Sequence, residues 1–269
     1  MLNLIHLTGM EKRPQESVSE CHQHFLQDQP PQPVLQNKQG WFPWIFEQCR
    51  ISPGLRILEL GCGDGTLWTD NLSLLPEDIS ITLSDISSGM LRDARRAIGS
   101  SDTRFAFRAF DCRKIPCKDE SFDLVIANHV LFYCDDIPSV LKEVRRVLAP
   151  GGRFLCSAYG KAHMQEVSQL VQDFDERIVL SADRLYERFG RENGQSILAP
   201  FFPKAQWLSY EDCLLVQDAE PLISYVLSCH GNQNQYILDR YKEFRAYTAR
   251  KTAKGFRITK DAGVFLCEK

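Results

Sequence analysis

Arg56-Ile57-Leu58-Glu59-Leu60-Gly61-Cys62-Gly63-Asp64-Gly65 is the stretch on which the reading of this chain turns. Ile57, Leu58 and Leu60 form a short apolar run, the pattern of a strand buried in a parallel sheet. Three glycines follow at alternate positions, and Thr66 to Leu75 reads as a helix. Strand, glycine turn and helix make a nucleotide-binding unit, because glycine lets the backbone turn tightly and approach a ligand closely. A dinucleotide fingerprint would place a glycine where Thr66 stands. Glu59, inside the strand end, suits a ligand with positive charge or many donors better than a pyrophosphate.

Further strands follow at regular intervals. Ile79 to Leu83 is the second and ends at Ser84-Asp85, where a carboxylate can accept hydrogen bonds from ribose hydroxyls. A helix from Ser87 to Ile98 has Ser87 or Ser88 as N-cap, with Met90 and Leu91 turned toward the core or a ligand. The third strand, Arg104 to Phe110, ends at Asp111-Cys112, and the fourth, Ser121 to Ala127, at Asn128-His129. Ligands of open α/β sheets sit beyond the carboxyl ends of the strands, which is where these residues fall. Asp136 to Leu148 is an amphipathic helix that Pro150-Gly151-Gly152 is expected to stop before a fifth strand, Arg153 to Ser157.

The Glu-x-Gly-x-Gly-x-Gly pattern from Glu59 to Gly65 resembles motif I of the class I S-adenosylmethionine (SAM)-dependent methyltransferases. The acidic strand ends Glu59, Asp85 and Asp111 and the string Leu148-Ala149-Pro150-Gly151-Gly152 extend the resemblance over residues 40–158. Asp-Leu-Val-Ile-Ala-Asn-His, residues 123–129, is most similar to the small-molecule and quinone-biosynthesis branch. The resemblance implies a Rossmann-like α/β fold: a seven-stranded, mostly parallel sheet with helices on both faces and a helical insertion near the C-terminus. SAM is the implied cofactor, held by Glu59, Gly61, Cys62, Gly63, Asp85, Ile86, Met90, Asp111, Cys112, Asn128 and His129. The Asp111 carboxylate would accept from the adenine amino group, and the Cys112 amide would donate to a ring nitrogen.

Residues 1–37 are expected to form an arm, with a possible helix from Gln15 to Gln27, and residues 38–269 the methyltransferase domain. Gly40 to Phe46 holds two tryptophans and two phenylalanines, either as a helix buttressing the sheet or as a lid over the ligand. Beyond residue 160 a lid or insertion is expected to about residue 255. Helices are expected at Ala162–Phe174, Arg184–Leu198 with a break near Gly190 or Gly194, Ala219–Cys229 and Gln233–Lys251. Trp207–Val216 reads as extended but interrupted at Glu211-Asp212, and Gly255–Thr259 with Gly263–Cys267 as a terminal hairpin or paired strands.

With 269 residues the chain is near the size at which one core stops growing, so one elaborated domain is expected. Net charge is −3, from 32 basic and 35 acidic residues, which excludes bulk attraction to nucleic acid or an anionic membrane. No apolar run reaches the roughly 18 residues of a membrane span. The ten cysteines are scattered without a Cys-x-x-Cys pair, which points to reduced thiols in a cytoplasmic protein and to no metal site.

Methyl transfer is an in-line displacement in which the protein mainly positions the nucleophile and excludes water. The acceptor, its atom and the oligomeric state cannot be read from cofactor motifs. Candidate catalytic groups near the strand ends are His129, His163, Tyr133 and Tyr159. Trp41, Phe42, Phe132, Phe201, Phe202 and Trp207 are core residues or pocket walls. The expected function is methylation of a small molecule, without nucleic acid as partner. A non-catalytic SAM-binding protein and an NAD(P)-dependent oxidoreductase are the alternatives, the latter opposed by Thr66 and Glu59.

Overall fold

The computed structural model describes residues 34–35, 37–181 and 184–269. Eight strands form one sheet: β1 (Val34–Leu35), β2 (Arg56–Leu60), β3 (Ser80–Asp85), β4 (Phe105–Ala109), β5 (Phe122–Ala127), β6 (Leu148–Tyr159), β7 (Gln206–Val216) and β8 (Phe256–Glu268). Their spatial order is β1-β7-β8-β6-β5-β2-β3-β4. The five strands β4, β3, β2, β5 and β6 pair in parallel. β8 lies antiparallel between β6 and β7. The seven expected strands are β2 to β8, and β1 adds two residues to the β7 edge. The proposed Gln15–Gln27 helix lies outside the described residues.

The chain leaves β2 toward β3 on one side and later places β5 on β2's other side. The carboxyl ends of β2 and β5 therefore flank the topological switch point, where crossovers part and leave a crevice. Helix α1 (Trp41–Cys49), the short α2 (Thr66–Thr69) and α3 (Ser88–Ile98) cover one face. Their Trp44, Ile45, Trp68 and Leu91 pack on Ile57, Ile81, Leu124 and Ile126. The other face is covered by α4 (Ile137–Val147), whose Ile137, Val140, Leu141, Val144 and Val147 recur at helical spacing and are all buried. Local capping agrees with this layout: Ser87 Oγ accepts from Met90 N at 3.3 Å and Asp136 Oδ1 from Ser139 N at 3.1 Å.

The remaining helices belong to two connections rather than one insertion. α5 (Gln165–Phe174), α6 (Leu185–Arg188) and α7 (Gly194–Leu198) join β6 to β7; α8 (Ala219–Ser228), α9 (Gln233–Ile237) and α10 (Tyr241–Thr252) join β7 to β8. α5, α8, α9 and α10 share a third core with Leu214, Val216 and Ile258.

Several expected boundaries are corrected. β7 is unbroken at Glu211-Asp212, and residues 256–268 form one strand instead of a hairpin. Asp212 and Lys260 stand opposite each other in the ladder, 3.9 Å apart at Oδ2 and Nζ, and Asp212 Oδ1 accepts from Asn37 N at 3.0 Å. Partners distant in sequence thus keep charged residues inside strands that local propensity would interrupt. Pro150-Gly151-Gly152 lies inside β6, where a register shift between Phe122 and Leu124 makes room for a residue without an N–H. The helix expected at Thr66–Leu75 is α2 followed by a 3₁₀ turn at Leu72–Leu74, with Asn71 Nδ2 donating to Leu67 O at 2.7 Å. Gln233–Lys251 is likewise divided by a 3₁₀ turn at Leu238–Arg240.

Candidate active site

The turn after β2 is built from backbone that only glycine accepts comfortably. Gly61 has φ +64°, and a Cβ there would lie 2.5 Å from Val130 Cγ2; Gly63 has φ +55° and faces open space. Cys62 N donates to Ser84 O at 2.9 Å, and Gly63 N to Asp85 Oδ2 at 3.1 Å. The second oxygen, Asp85 Oδ1, accepts from Ser87 N at 2.8 Å. Asp85 thus couples the glycine turn to the start of α3. Ile86, next to it, is 77% exposed, a large apolar side chain standing in solvent at a strand end. Met90 lies half-buried one turn into α3.

Glu59 does not face the crevice freely. It is buried, and its Oε2 accepts from Trp68 Nε1 at 2.5 Å. Burial pushes its carboxyl up to about 8; the Trp68 hydrogen bond opposes this, and the charges of Asp85 and Asp64 add to it. Asp111 is also engaged: Arg113 binds its carboxylate through Nε at 2.9 Å and Nη2 at 2.6 Å and holds it below the usual range. The Cys112 thiol, one residue on, lies 3.6 Å from the Cys134 thiol.

The structure brings His129, Tyr159 and His163 together and leaves Tyr133 to one side. The His129 ring stacks between Trp41 at 4.9 Å and Tyr159 at 4.4 Å, and His163 packs on Tyr159 at 4.2 Å. Trp44 and Tyr210 continue the aromatic column beside Trp41. Tyr133 packs on Phe132 at 4.7 Å and is 39% exposed. Three hydrogen bonds join α1 and β6 to the end of β5. Asn128 Oδ1 accepts from Ser157 Oγ at 2.7 Å and from Trp41 Nε1 at 3.3 Å. His129 N donates to Ser157 Oγ at 2.8 Å while its backbone takes φ +57°, a conformation that needs such a hold outside glycine.

Burial pushes the His129 imidazole down to about 3, and the charge of Lys260 adds to this. His163 is driven down by the same two causes and then by His129 itself. Tyr159 is pushed up by burial. Among the described residues His129 Nδ1 and Tyr210 Oη are buried without a hydrogen-bond partner. The column is therefore neutral and aromatic, half-buried at Trp41, His129, Tyr159 and His163, with Lys260 as the nearby cation.

Sequence reasoning missed Trp68, Ser157, Tyr210, Asp212 and Lys260. Lys260 carried a signal: it occupies the inward position of a strand whose neighbours at the same spacing, Ile258, Ala262 and Val264, are apolar. Phe132 and Phe202 are core residues on the α4 face, and Trp207 packs against that core on Phe265.

Residues 58–156 match the family described as a methyltransferase domain. The chain is 32% identical over 111 residues to a sterol 4-C-methyltransferase of Caenorhabditis elegans, covering 41% of this chain and 33% of that protein. It is 33% identical over 121 residues to a demethylmenaquinone methyltransferase of Symbiobacterium thermophilum, covering 43% and 48%. It thus spans less than half the length of these curated relatives. The fold is similar to that of the YcgJ protein of Bacillus subtilis, with a TM-score of 0.55 at 16% identity, covering 85% of this chain and 97% of that one. It is also similar to a Haemonchus contortus phosphoethanolamine N-methyltransferase in complex with S-adenosylhomocysteine, with a TM-score of 0.54 at 15% identity, covering 96% and 59%. The glycine turn, the acidic strand ends and the strands from β2 to β6 fall in and around residues 58–156, the part of the chain that matches the methyltransferase-domain family.

Proposed function

We propose that this protein transfers a methyl group from SAM to a small-molecule acceptor. The observation that carries the reading is the layout of the carboxyl edge: open backbone at Gly63, the Asp85 carboxylate and the exposed Ile86 lie side by side. These residues fit the cofactor. Gly63 leaves room for close approach, Asp85 would accept from ribose hydroxyls, and Ile86 with Met90 would cover an apolar ring face. Asp111 and the Cys112 amide would take the adenine edge once Arg113 shares its carboxylate. When bound, the cofactor supplies a methyl group activated by the adjacent sulfonium.

The chain's own part is to hold the acceptor and exclude water. The column of Trp41, His129, Tyr159 and His163 forms an apolar wall next to Asn128, at the end of β5. His129, held at about 3, stays neutral at pH 7 and can accept a hydrogen bond, but it is a weak base. This favours an acceptor that arrives already deprotonated or as a neutral nucleophile. The 1–37 arm, the 38–269 domain and a roof from residues 160–255 complete the proposed organisation. The scattered thiols support a reducing, cytoplasmic setting.

Calorimetry with SAM, S-adenosylhomocysteine and NAD, followed by a metabolite screen for S-adenosylhomocysteine release, tests the reading. Asp85→Ala should weaken SAM at least about tenfold, because donors of the ligand and of Gly63 and Ser87 lose a charged acceptor. Wild-type SAM affinity in both Asp85→Ala and Asp111→Ala would overturn the site. SAM binding without turnover of any metabolite would reduce the protein to a binding module.

A further inference from the structure

Cys112 and Cys134 belong to segments that leave different strands. Cys112 follows β4; Cys134 ends the 3₁₀ turn Leu131–Tyr133 that follows β5. In the sheet, β2 and β3 stand between β4 and β5, a span of about 14 Å at the usual strand spacing. The two segments nevertheless bring their sulfurs to 3.6 Å. Both thiols are half-buried, so a small reagent can reach them. Cys156 and Cys267, which also interact through their thiols, are buried inside the sheet and closed to such a reagent.

The pair is chemically asymmetric. Its mutual hydrogen bond pulls the Cys112 thiol down and pushes the Cys134 thiol up; Arg113 adds to the first effect, while burial and the Asp111 carboxylate oppose it. The thiolate is the reactive form; either sulfur can be the donor across the 3.6 Å contact, and the lowered Cys112 thiol favours the direction in which Cys112 attacks and Cys134 resolves.

We propose that Cys112 and Cys134 are an oxidant-modified pair, closed to a disulfide by a hydroperoxide, and that closure weakens cofactor binding at the adjoining crevice. The second part rests on the SAM site proposed above. In the first step the Cys112 sulfur attacks the peroxide oxygen, the O–O bond breaks, and the sulfenic acid and one water (or alcohol) form. In the second step Cys134 sulfur attacks Cys112 sulfur, the S–S bond forms, and the hydroxyl leaves with the Cys134 proton as water. The two thiols lose two electrons, and the hydroperoxide takes them.

A disulfide needs its sulfurs about 2.05 Å apart, so the segments must approach by roughly 1.5 Å. Two contacts carry that movement into the crevice. The Cys112 amide is the proposed adenine donor. Cys134 Sγ also lies 3.7 Å from Val130 O, and Val130 fills the space that a side chain at Gly61 would need. By reciprocity, bound cofactor must disfavour the disulfide by the factor by which the disulfide weakens the cofactor.

The test uses the full reduced chain, hydrogen peroxide as oxidant, peptide mapping of cross-linked cysteines, and SAM calorimetry before oxidation, after it and after dithiothreitol. The expected result is a 112–134 cross-link with loss of two hydrogens in mass, SAM affinity lowered at least about fivefold and restored by reduction. Cys134→Ser should bind SAM like wild type, form no cross-link and leave a trappable sulfenic acid at residue 112. S-adenosylhomocysteine added beforehand should slow the cross-link. A different cysteine pairing, or none, overturns the proposal. A 112–134 cross-link with unchanged SAM affinity overturns the coupling. If the reduced protein binds no SAM, the cofactor reading fails, while the mapping still decides the thiol pair.

Discussion

Glu59→Gln should stabilise this protein increasingly as pH rises. Glu59 sits inside the sheet against Trp68 Nε1, with its carboxyl moved from an ordinary 4.5 to about 8, chiefly by burial. The unfolded chain releases the proton near 4.5, whereas the folded chain keeps it until about pH 8. The proton-bound state is thus favoured on folding: its contribution is complete below 4.5 and is lost progressively as pH rises to about 8. Each pH unit in that window is about 1.4 kcal/mol, so wild type loses about 3 kcal/mol by pH 7 and about 5 kcal/mol in all. Glutamine keeps the shape and can still accept from Trp68, and it does not ionise. Its extra buried N–H adds an offset that does not change with pH. Urea unfolding of both proteins at pH 5, 6, 7, 8 and 9 separates the two contributions. The stability of Glu59→Gln minus that of wild type should climb from pH 5 to 8 and then level off. A difference independent of pH, or one that falls as pH rises, would refute a buried protonated Glu59.

Four further outcomes follow from other contacts. Gly61→Ala should cost about 1–3 kcal/mol in chemical denaturation, since its Cβ would meet Val130 Cγ2 at 2.5 Å, whereas Gly63→Ala should cost about 1 kcal/mol but abolish calorimetric SAM binding because its space is open. Equal SAM affinity in Gly63→Ala and wild type would contradict close cofactor approach there. Trp41→Ala should lose about 2–3 kcal/mol through its contacts with His129, Trp44 and Asn128. With S-adenosylhomocysteine, amide exchange should slow over residues 38–42 and change little over residues 44–49, because Trp44, Ile45 and Cys49 are already core. Since His129 is held at about 3 against an ordinary 6.5, its neutral burial stabilises the fold above 6.5 and is lost as pH falls toward 3. His129→Phe should therefore flatten that acid limb in denaturation curves, and an unchanged limb would count against a neutral buried imidazole.

The sequence by itself determined the sheet from β2 to β6 and the glycine turn with its acidic strand ends, because those features are local. Apolar runs mark buried strands, glycines mark backbone with positive φ, and acidic residues fall at strand ends within a few positions of each glycine or cap. Asp85 shows how far this reaches: its place at the end of β3 was legible, and its bonds to Gly63 N and Ser87 N follow from that place. Partners far apart in sequence were not legible. Trp68 takes Glu59 out of the crevice, and Arg113 occupies Asp111. Lys260 and Asp212 keep β7 and β8 continuous where local propensity breaks them. The same limit divides the catalytic candidates. Four residues near the strand ends looked alike in sequence, yet only the tertiary structure stacks His129, Tyr159 and His163 and turns Tyr133 outward. Local periodicity encodes which face a residue takes; burial, and with it the protonation state of Glu59 or His129, is set by whatever the fold brings against that face.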